Sequence, residues 1–229
     1  MIAIVSAMHE ELSAVLALMP HEQREQVAGR DFWRGELHGH PVVAVLSGIG
    51  KVAAATTAAV LAQRYGVRQI VFTGVAGGLA PQVKRGDVVV ARSFLQHDLD
   101  VSPLFPRYEV PRYGKAEFAT DAALSDRLAE AVWRALPGTA LHQGLVVSGD
   151  RFVDTAAEAL ELQQDLPDAL AVEMEGAAMA QVCEDHGIGF AAVRTISDRA
   201  DDEAFGDFVS FLGEVASRHT AAIVQALLT

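Results

Sequence analysis

The chain has 229 residues, 51% of them hydrophobic, with 18 lysines and arginines against 30 aspartates and glutamates and a net charge of −12. That is enough for one domain over residues 1–229 with a substantial core, and the acidic balance argues against a nucleic-acid surface, which needs a basic stripe, and weakly against polyanionic substrates. A single cysteine, Cys183, excludes an intramolecular disulfide framework and suits a reducing, cytoplasmic compartment, MIAIVSAMHEE does not read as a signal peptide, and no apolar run reaches the roughly 20 residues a bilayer span needs.

IAIVS opens the chain as a buried strand, followed at once by Glu10 and Glu11. DFWRGELHGHPVVAVLS predicts a hairpin that turns at HG, with PVVAVLS as its inner strand. The two histidines of HGH fall in that turn, where exposure to solvent suits them better than metal ligation. SGIGKVAA joins this strand to a helix, VAAATTAAVLAQRYG, closed by Gly66. QIVFTG is a buried strand that leads into the glycine-rich TGVAGGL, and GDVVVARSFLQ is the next. LDVSPLFPRYEVPRYGK carries three prolines and predicts a long loop. Its Leu104, Phe105 and Tyr108 read as exposed side chains that cover a site, meet another subunit or pack over a surface groove. ATDAALSDRLAEAVWRAL is amphipathic with Asp121 as N-cap, LHQGLVVSG is a strand, and AAEALELQQDL is a helix with a polar face. ALAVEME leads from strand to helix, GFAAVRTIS is the last strand, and FVSFLGEVASRHTAAIVQALL closes the chain as a helix. This alternation predicts an α/β layered fold.

GIGKVA fits the GxGxxA form of the dinucleotide fingerprint. The following strand, QIVFTGVAGG, ends without the acidic residue that would hold a ribose. A Walker loop fails too: no glycine stands five residues before Gly50, and Val52 replaces the required serine or threonine. A tight turn with close backbone packing is the remaining reading. TGVAGGL is either a ligand approach through positive φ or a simple turn. One cysteine and no HExxH give no metal site, and there is no GxSxG elbow.

The acids carry more. Glu10 and Glu11 follow the first strand, Glu173 and Glu175 sit in the apolar stretch ALAVEMEGAAMAQV, and Asp198 follows the last strand. Burying an unpaired carboxylate costs on the order of several kcal/mol. Taken singly, Glu10 and Asp198 are explained by helix capping or first-turn placement. Taken together, acids at several strand ends point to one crevice, because ligands of open α/β sheets gather at the carboxyl ends of strands.

AMHEEL, SGIGKVAAA, TGVAGGLAP followed by GDVVV, SGDRFV, VEMEGAA and TISDRAD occur in this order. Together they resemble the 5'-methylthioadenosine/S-adenosylhomocysteine nucleosidases of the purine nucleoside phosphorylase superfamily, over nearly the whole chain. The resemblance implies a three-layer α/β/α sandwich around a mixed, partly barrel-like central sheet. It implies hydrolysis of the bond between adenine N9 and ribose C1', with no metal or organic cofactor, in a homodimer that shares its sites across subunits.

By the same resemblance Asp198 is the general acid at adenine N7, oriented by Ser197, and Glu11 activates water. Glu175 grips the ribose hydroxyls, Met174 packs on the sugar and thioether, and Glu173 helps to form the pocket. Phe152 stacks on the base and Val153 reads its edge through the backbone. Met8, Gly77 and Phe208 line the site, with Phe205 an alternative to Phe208 because DDEAFGD matches poorly. Leu104 and Phe105, in loop 102–113, are the wall offered to a neighbouring subunit. Two departures stand out: Val75 replaces a small hydroxyl residue, and the loop around SPLFPRYEVP differs from the shorter family version. The rival readings are a purine nucleoside phosphorylase, disfavoured because HEE repels phosphate; an aminofutalosine-type nucleoside hydrolase; and a nucleoside sensor, disfavoured because both Glu11 and Asp198 are present.

Overall fold

The computed structural model describes residues 1–201, 204–211 and 215–229. In chain order the elements are β1 (Ile2–Ser6), α1 (His9–Leu16), β2 (Gln23–Val27), β3 (Arg30–Leu37), β4 (His40–Leu46), α2 (Lys51–Tyr65), β5 (Gln69–Gly78), β6 (Val88–Gln96), β7 (Glu117–Ala119), α3 (Ala122–Ala135), β8 (Leu141–Ser148), α4 (Ala156–Asp165), β9 (Ala169–Glu173), α5 (Gly176–His186), β10 (Gly189–Asp198), α6 (Ala204–Phe211) and α7 (Ser217–Leu228).

Among the described residues, all the strands belong to one ten-stranded sheet. β10 pairs with both β5 and β6, so β10, β6, β8, β9 and β5 close on themselves as a barrel. β1, β4, β3 and β2 extend from β5 as an open sheet, with β7 added beside β6. The period of two in a strand decides what covers each face. In β1, Ala3 and Val5 face the core formed with α2 and α5, while Ile2 and Ile4 face the core formed with α1, α3 and α7. β5 divides in the same way, Ile70 and Phe72 to one side and Val71 to the other. Strands buried on both faces read as continuous apolar runs, which is why IAIVS and QIVFTG were legible. The result is a three-layer sandwich around a mixed sheet. A third cluster, with Leu145, Val147, Ala159 and Val172, seats α4 against β8 and β9.

β1 runs parallel to β4 and β5, and β5 parallel to β10, so their carboxyl ends share one edge. The predicted punctuation holds at two ends. Asp121 Oδ1 accepts the Leu124 N–H at 2.9 Å, and Gly66 closes α2 in the left-handed region at φ 57°.

Four expectations change. TGVAGG is not a turn after the strand: β5 runs through Gly78, because its end pairs with β9 as well as β10. The closing helix appears as α6 and α7, with 212–214 outside the described residues. α6 begins at Ala204, within DDEAFGD and ahead of the predicted helix start at Phe208, and Asp202 and Glu203 are also outside the described residues. Tyr108, read as exposed, is buried: its hydroxyl donates to Asp165 at 3.2 Å, and the Arg107 guanidinium lies over its ring. β2 (QREQV) is an added strand, a largely exposed edge with no apolar alternation to announce it.

Candidate active site

A cavity of about 380 Å³ opens where the shared strand ends meet the segments following β8 and β9. Met8, Glu11, Gly77, Phe152, Val153, Glu173, Met174, Glu175, Ser197, Asp198 and Phe208 all line it, as does Phe205. Leu104 and Phe105 are not among its lining residues; they stand 81% and 39% exposed.

Glu11 lies in the first turn of α1 and is fully buried, and neither of its carboxylate oxygens has a hydrogen-bond partner. Burial pushes its pKa up to about 8. The charge of Arg194 and the Met8 backbone N–H oppose that rise, the latter without a hydrogen bond of normal geometry.

The VEMEG segment turns its two glutamates to different tasks. Glu173, the last residue of β9, caps the start of α5: its oxygens accept the Gly176 N–H at 2.9 and 3.0 Å and that of Glu175 at 3.3 Å. The Ser148 hydroxyl donates to the same carboxylate, and Arg194 Nη2 meets it at 2.7 Å in an ion pair with side chains 1% and 3% exposed. Glu173 touches the cavity, but its lone pairs are taken up inside the protein. Glu175 is freer. Its Oε1 accepts the Gly50 N–H at 2.8 Å. Burial, joined by the Glu173 charge, raises its pKa to about 7 against the pull of Gly50 and Arg194. Gly176 admits no side chain: a Cβ there would lie 2.1 Å from the Phe94 ring.

Asp198 ends β10. Its Oδ2 accepts the Ser197 hydroxyl at 2.7 Å and its Oδ1 the Ala200 N–H at 2.8 Å. Burial raises its pKa in spite of both bonds. Gly77 is glycine for space rather than for φ: a Cβ would stand 2.9 Å from Asp198 Oδ1. Phe152 and Phe208 meet edge to face, with ring centroids 5.6 Å apart, and form an aromatic wall. Apolar walls and a few converging polar groups suit a small ligand with flat, hydroxylated and apolar parts. Among the described residues no group of three or more His, Cys, Asp or Glu is placed to hold a metal ion.

The sequence reading missed Arg194, Ser148, Ile49 and Phe72. Arg194 is the most consequential. It donates to the Phe72 carbonyl at 3.2 Å, lies 3.9 Å from the centroid of that ring, and borders the cavity beside Glu173. Its signal was present in GFAAVRTIS, an arginine in the middle of a strand otherwise built for burial. Such a charge needs a carboxylate partner.

The closed five-strand barrel, the helical layers and the cavity at the strand ends define a nucleoside phosphorylase-like α/β protein. A family model, "Phosphorylase superfamily", matches residues 1–229. The "5'-methylthioadenosine/S-adenosylhomocysteine nucleosidase" of Shewanella denitrificans is 36% identical over 230 residues, covering 100% of this chain and 98% of the relative. That of Tolumonas auensis is 35% identical over 99% of this chain and 98% of its own. The crystal structure of the Neisseria meningitidis nucleosidase of the same name, in complex with methylthio-immucillin-A, is similar at a TM-score of 0.93 and 36% identity, covering 99% of this chain and 97% of that one. The futalosine hydrolase of Helicobacter pylori is similar at 0.90 and 33% identity, covering 99% and 96%. The chain therefore belongs to the phosphorylase superfamily and, within it, to the 5'-methylthioadenosine/S-adenosylhomocysteine nucleosidase family.

Proposed function

We propose that the protein hydrolyses the N-glycosidic bond of 5'-methylthioadenosine and S-adenosylhomocysteine, releasing adenine and a thioribose. The observation that carries this is the pairing, in one cavity, of Glu11, a buried carboxylate with no protein partner, and Asp198, a carboxyl raised toward holding its proton. Glycosidic cleavage passes through an oxocarbenium-like state and needs an acid for the leaving group and a base for water. The C1'–N9 bond breaks with its electron pair going to adenine, and Asp198 delivers a proton to N7. Water adds at C1' as Glu11 takes its proton, and the nearby carboxylate stabilises the developing positive charge. The elevated pKa makes Glu11 a stronger base than an ordinary glutamate. Glu175 holds the ribose hydroxyls, Phe152 stacks on the base, the Val153 backbone reads its edge, and Met8, Met174 and Phe208 receive the sugar and thioalkyl side. No cofactor takes part.

Residues 1–229 act as one nucleosidase domain, a reading supported by the single sheet that runs through them. The protein works as a cytoplasmic homodimer in methionine salvage. The cytoplasmic assignment rests on the lone buried thiol of Cys183; the dimer rests on loop 102–113, which offers Leu104 and Phe105 to the neighbour. A second reading, hydrolysis of an aminofutalosine-type nucleoside, is favoured by the likeness to the Helicobacter pylori futalosine hydrolase. Phosphorolysis is disfavoured because the ionised Glu11 that activates water would repel phosphate.

Incubation with methylthioadenosine, with and without phosphate, tests all three. Free methylthioribose in both cases supports hydrolysis. A phosphorylated sugar formed only with phosphate identifies a phosphorylase. An intact substrate, with an aminofutalosine-type nucleoside cleaved in parallel, selects the second reading.

A further inference from the structure

The GIGK turn fits a phosphate-cradling fingerprint, yet the groups it cradles are the protein's own carboxylates. Gly48 and Gly50 take φ values of 77° and 96°, which bring the chain sharply from β4 into α2. The first two N–H groups at that helix end then point at two acids. Gly50 N–H donates to Glu175 Oε1 at 2.8 Å, and Lys51 N–H to Asp150 Oδ1 at 2.7 Å. A helix N-terminus is a natural seat for negative charge. Here two adjacent donors fix two different parts of the site, the carboxylate assigned to the ribose and the loop that runs directly into Phe152 and Val153.

The Lys51 side chain completes the arrangement. It is 16% exposed, and its Nζ meets Asp98 Oδ1 at 2.5 Å and Gln96 Oε1 at 3.1 Å. The other Asp98 oxygen accepts the Asp150 N–H at 2.9 Å. Lys51, Asp98 and Asp150 therefore form a closed ring that ties the start of α2, the end of β6 and the segment after β8 together. The lysine holds the Asp98 carboxyl below its ordinary value against burial, so its removal leaves that half-buried carboxylate without its ion-pair partner.

We propose that Lys51 is a positioning residue for substrate binding, which through Asp98 and Asp150 sets the base-binding loop against the ribose carboxylate Glu175. The proposal rests on the nucleosidase reading of the pocket. Lys51 does not line the cavity, so its effect is exerted through the placement of Phe152, Val153 and Glu175. Those groups hold the substrate in both the ground state and the transition state, so losing their alignment raises KM more than it lowers kcat.

The test is steady-state kinetics with methylthioadenosine, alongside thermal unfolding, for Lys51→Met, Lys51→Arg, Asp98→Asn and the double variant Lys51→Met/Asp98→Asn. Misplacing a binding group by an ångström costs up to about a hundredfold, so KM should rise about tenfold or more in Lys51→Met with kcat within about threefold of the parent. Asp98→Asn should move KM in the same direction, and the double variant should be no worse than Lys51→Met alone, because both remove one interaction. Lys51→Arg should recover most of the affinity. KM within about twofold of the parent in both single variants, or a fall in kcat and Tm at unchanged KM, overturns the proposal. Should Lys51→Met not fold, Asp98→Asn, which keeps its shape, decides by the same criterion. A parent protein that leaves methylthioadenosine intact overturns the functional reading itself, and the positioning role with it.

Discussion

Glu11 and Glu173 are both buried, and their surroundings differ completely. Glu173 is saturated by Arg194, Ser148 and the first N–H groups of α5, whereas among the described residues Glu11 finds no hydrogen bond of normal geometry. A site that leaves a carboxylate in that state sacrifices stability for reactivity. With a folded pKa of about 8 against an ordinary value of 4.5, the fold favours the neutral form of Glu11, and the ionised fraction that can act as a base grows as pH rises toward that value. The favourable contribution of the neutral form is complete below the ordinary value and is lost as pH rises through about 8. Glu11→Gln, which stays neutral, is therefore predicted to be more stable than the parent near pH 9 by ~2–4 kcal/mol, with no gain near pH 4. If Glu11 acts on water as proposed, kcat of this variant should fall sharply while KM changes little. Urea unfolding at the two pH values, paired with kinetics, checks both halves; equal stability near pH 9 would contradict the buried, unpartnered carboxylate. Asp198→Asn keeps the shape and loses the acid proton, and should lower kcat by about 10²- to 10⁴-fold with the fold intact. A variant within about threefold of the parent would remove Asp198 from the chemistry.

At the scale of elements, β5 shows what glycine does here. None of Gly74, Gly77 and Gly78 has positive φ; each admits a neighbour where a side chain would stand. Gly74 lies against the Arg194 guanidinium, and Gly77 against Asp198 and Ala200. Gly77→Ala would place a methyl 2.9 Å from Asp198 Oδ1 and 3.0 Å from Ala200 Cβ. The backbone accepts alanine at Gly77, so the damage falls on the acid's position, and kcat/KM should drop about 10- to 100-fold. Gly144→Ala is the matched control: its methyl meets only the end of the Leu170 side chain, at 2.8 Å, away from the cavity. It should cost about 1–3 kcal/mol of stability and leave kcat/KM unchanged. Equal activity losses in the two variants would show that general loosening, rather than displacement of Asp198, is responsible. The same elements mark how far the sequence could be read. Strand ends carrying Glu11, Glu175 and Asp198 were legible because an acid following an apolar run is a local pattern. The pairing of Glu173 with Arg194, 21 residues apart, was not, since only the barrel closure brings β9 and β10 to one cavity. QREQV lacked any apolar period, and its pairing with β3 at the sheet edge makes it a strand.

Large apolar side chains stand exposed both at the cavity wall and on loop 102–113. Loop 102–113 is tied down at its base, where Tyr108 is buried and Arg107 pairs with Asp165 at 2.8 Å. Ahead of this anchor Leu104 is 81% exposed and Phe105 39%, while Ile49 on the cavity wall is 59% exposed. A firmly anchored loop presenting large apolar side chains is suited to meet a second copy of the chain, since its order costs little on association. A stable dimer typically buries about 1,200 Å² or more in total, and a charge placed inside such a patch is strongly unfavourable. The protein is expected to sediment as a dimer. Phe105→Asp should weaken that dimer or raise KM for methylthioadenosine, with little change in the rate of the bound substrate. Sedimentation across a range of concentrations, run beside the kinetics, separates the two effects. Weakened association with unchanged KM at saturating protein would place Phe105 in the interface but outside the neighbour's site. A parent protein that sediments as a monomer with full activity would show that loop 102–113 is ordinary surface and that each cavity works alone.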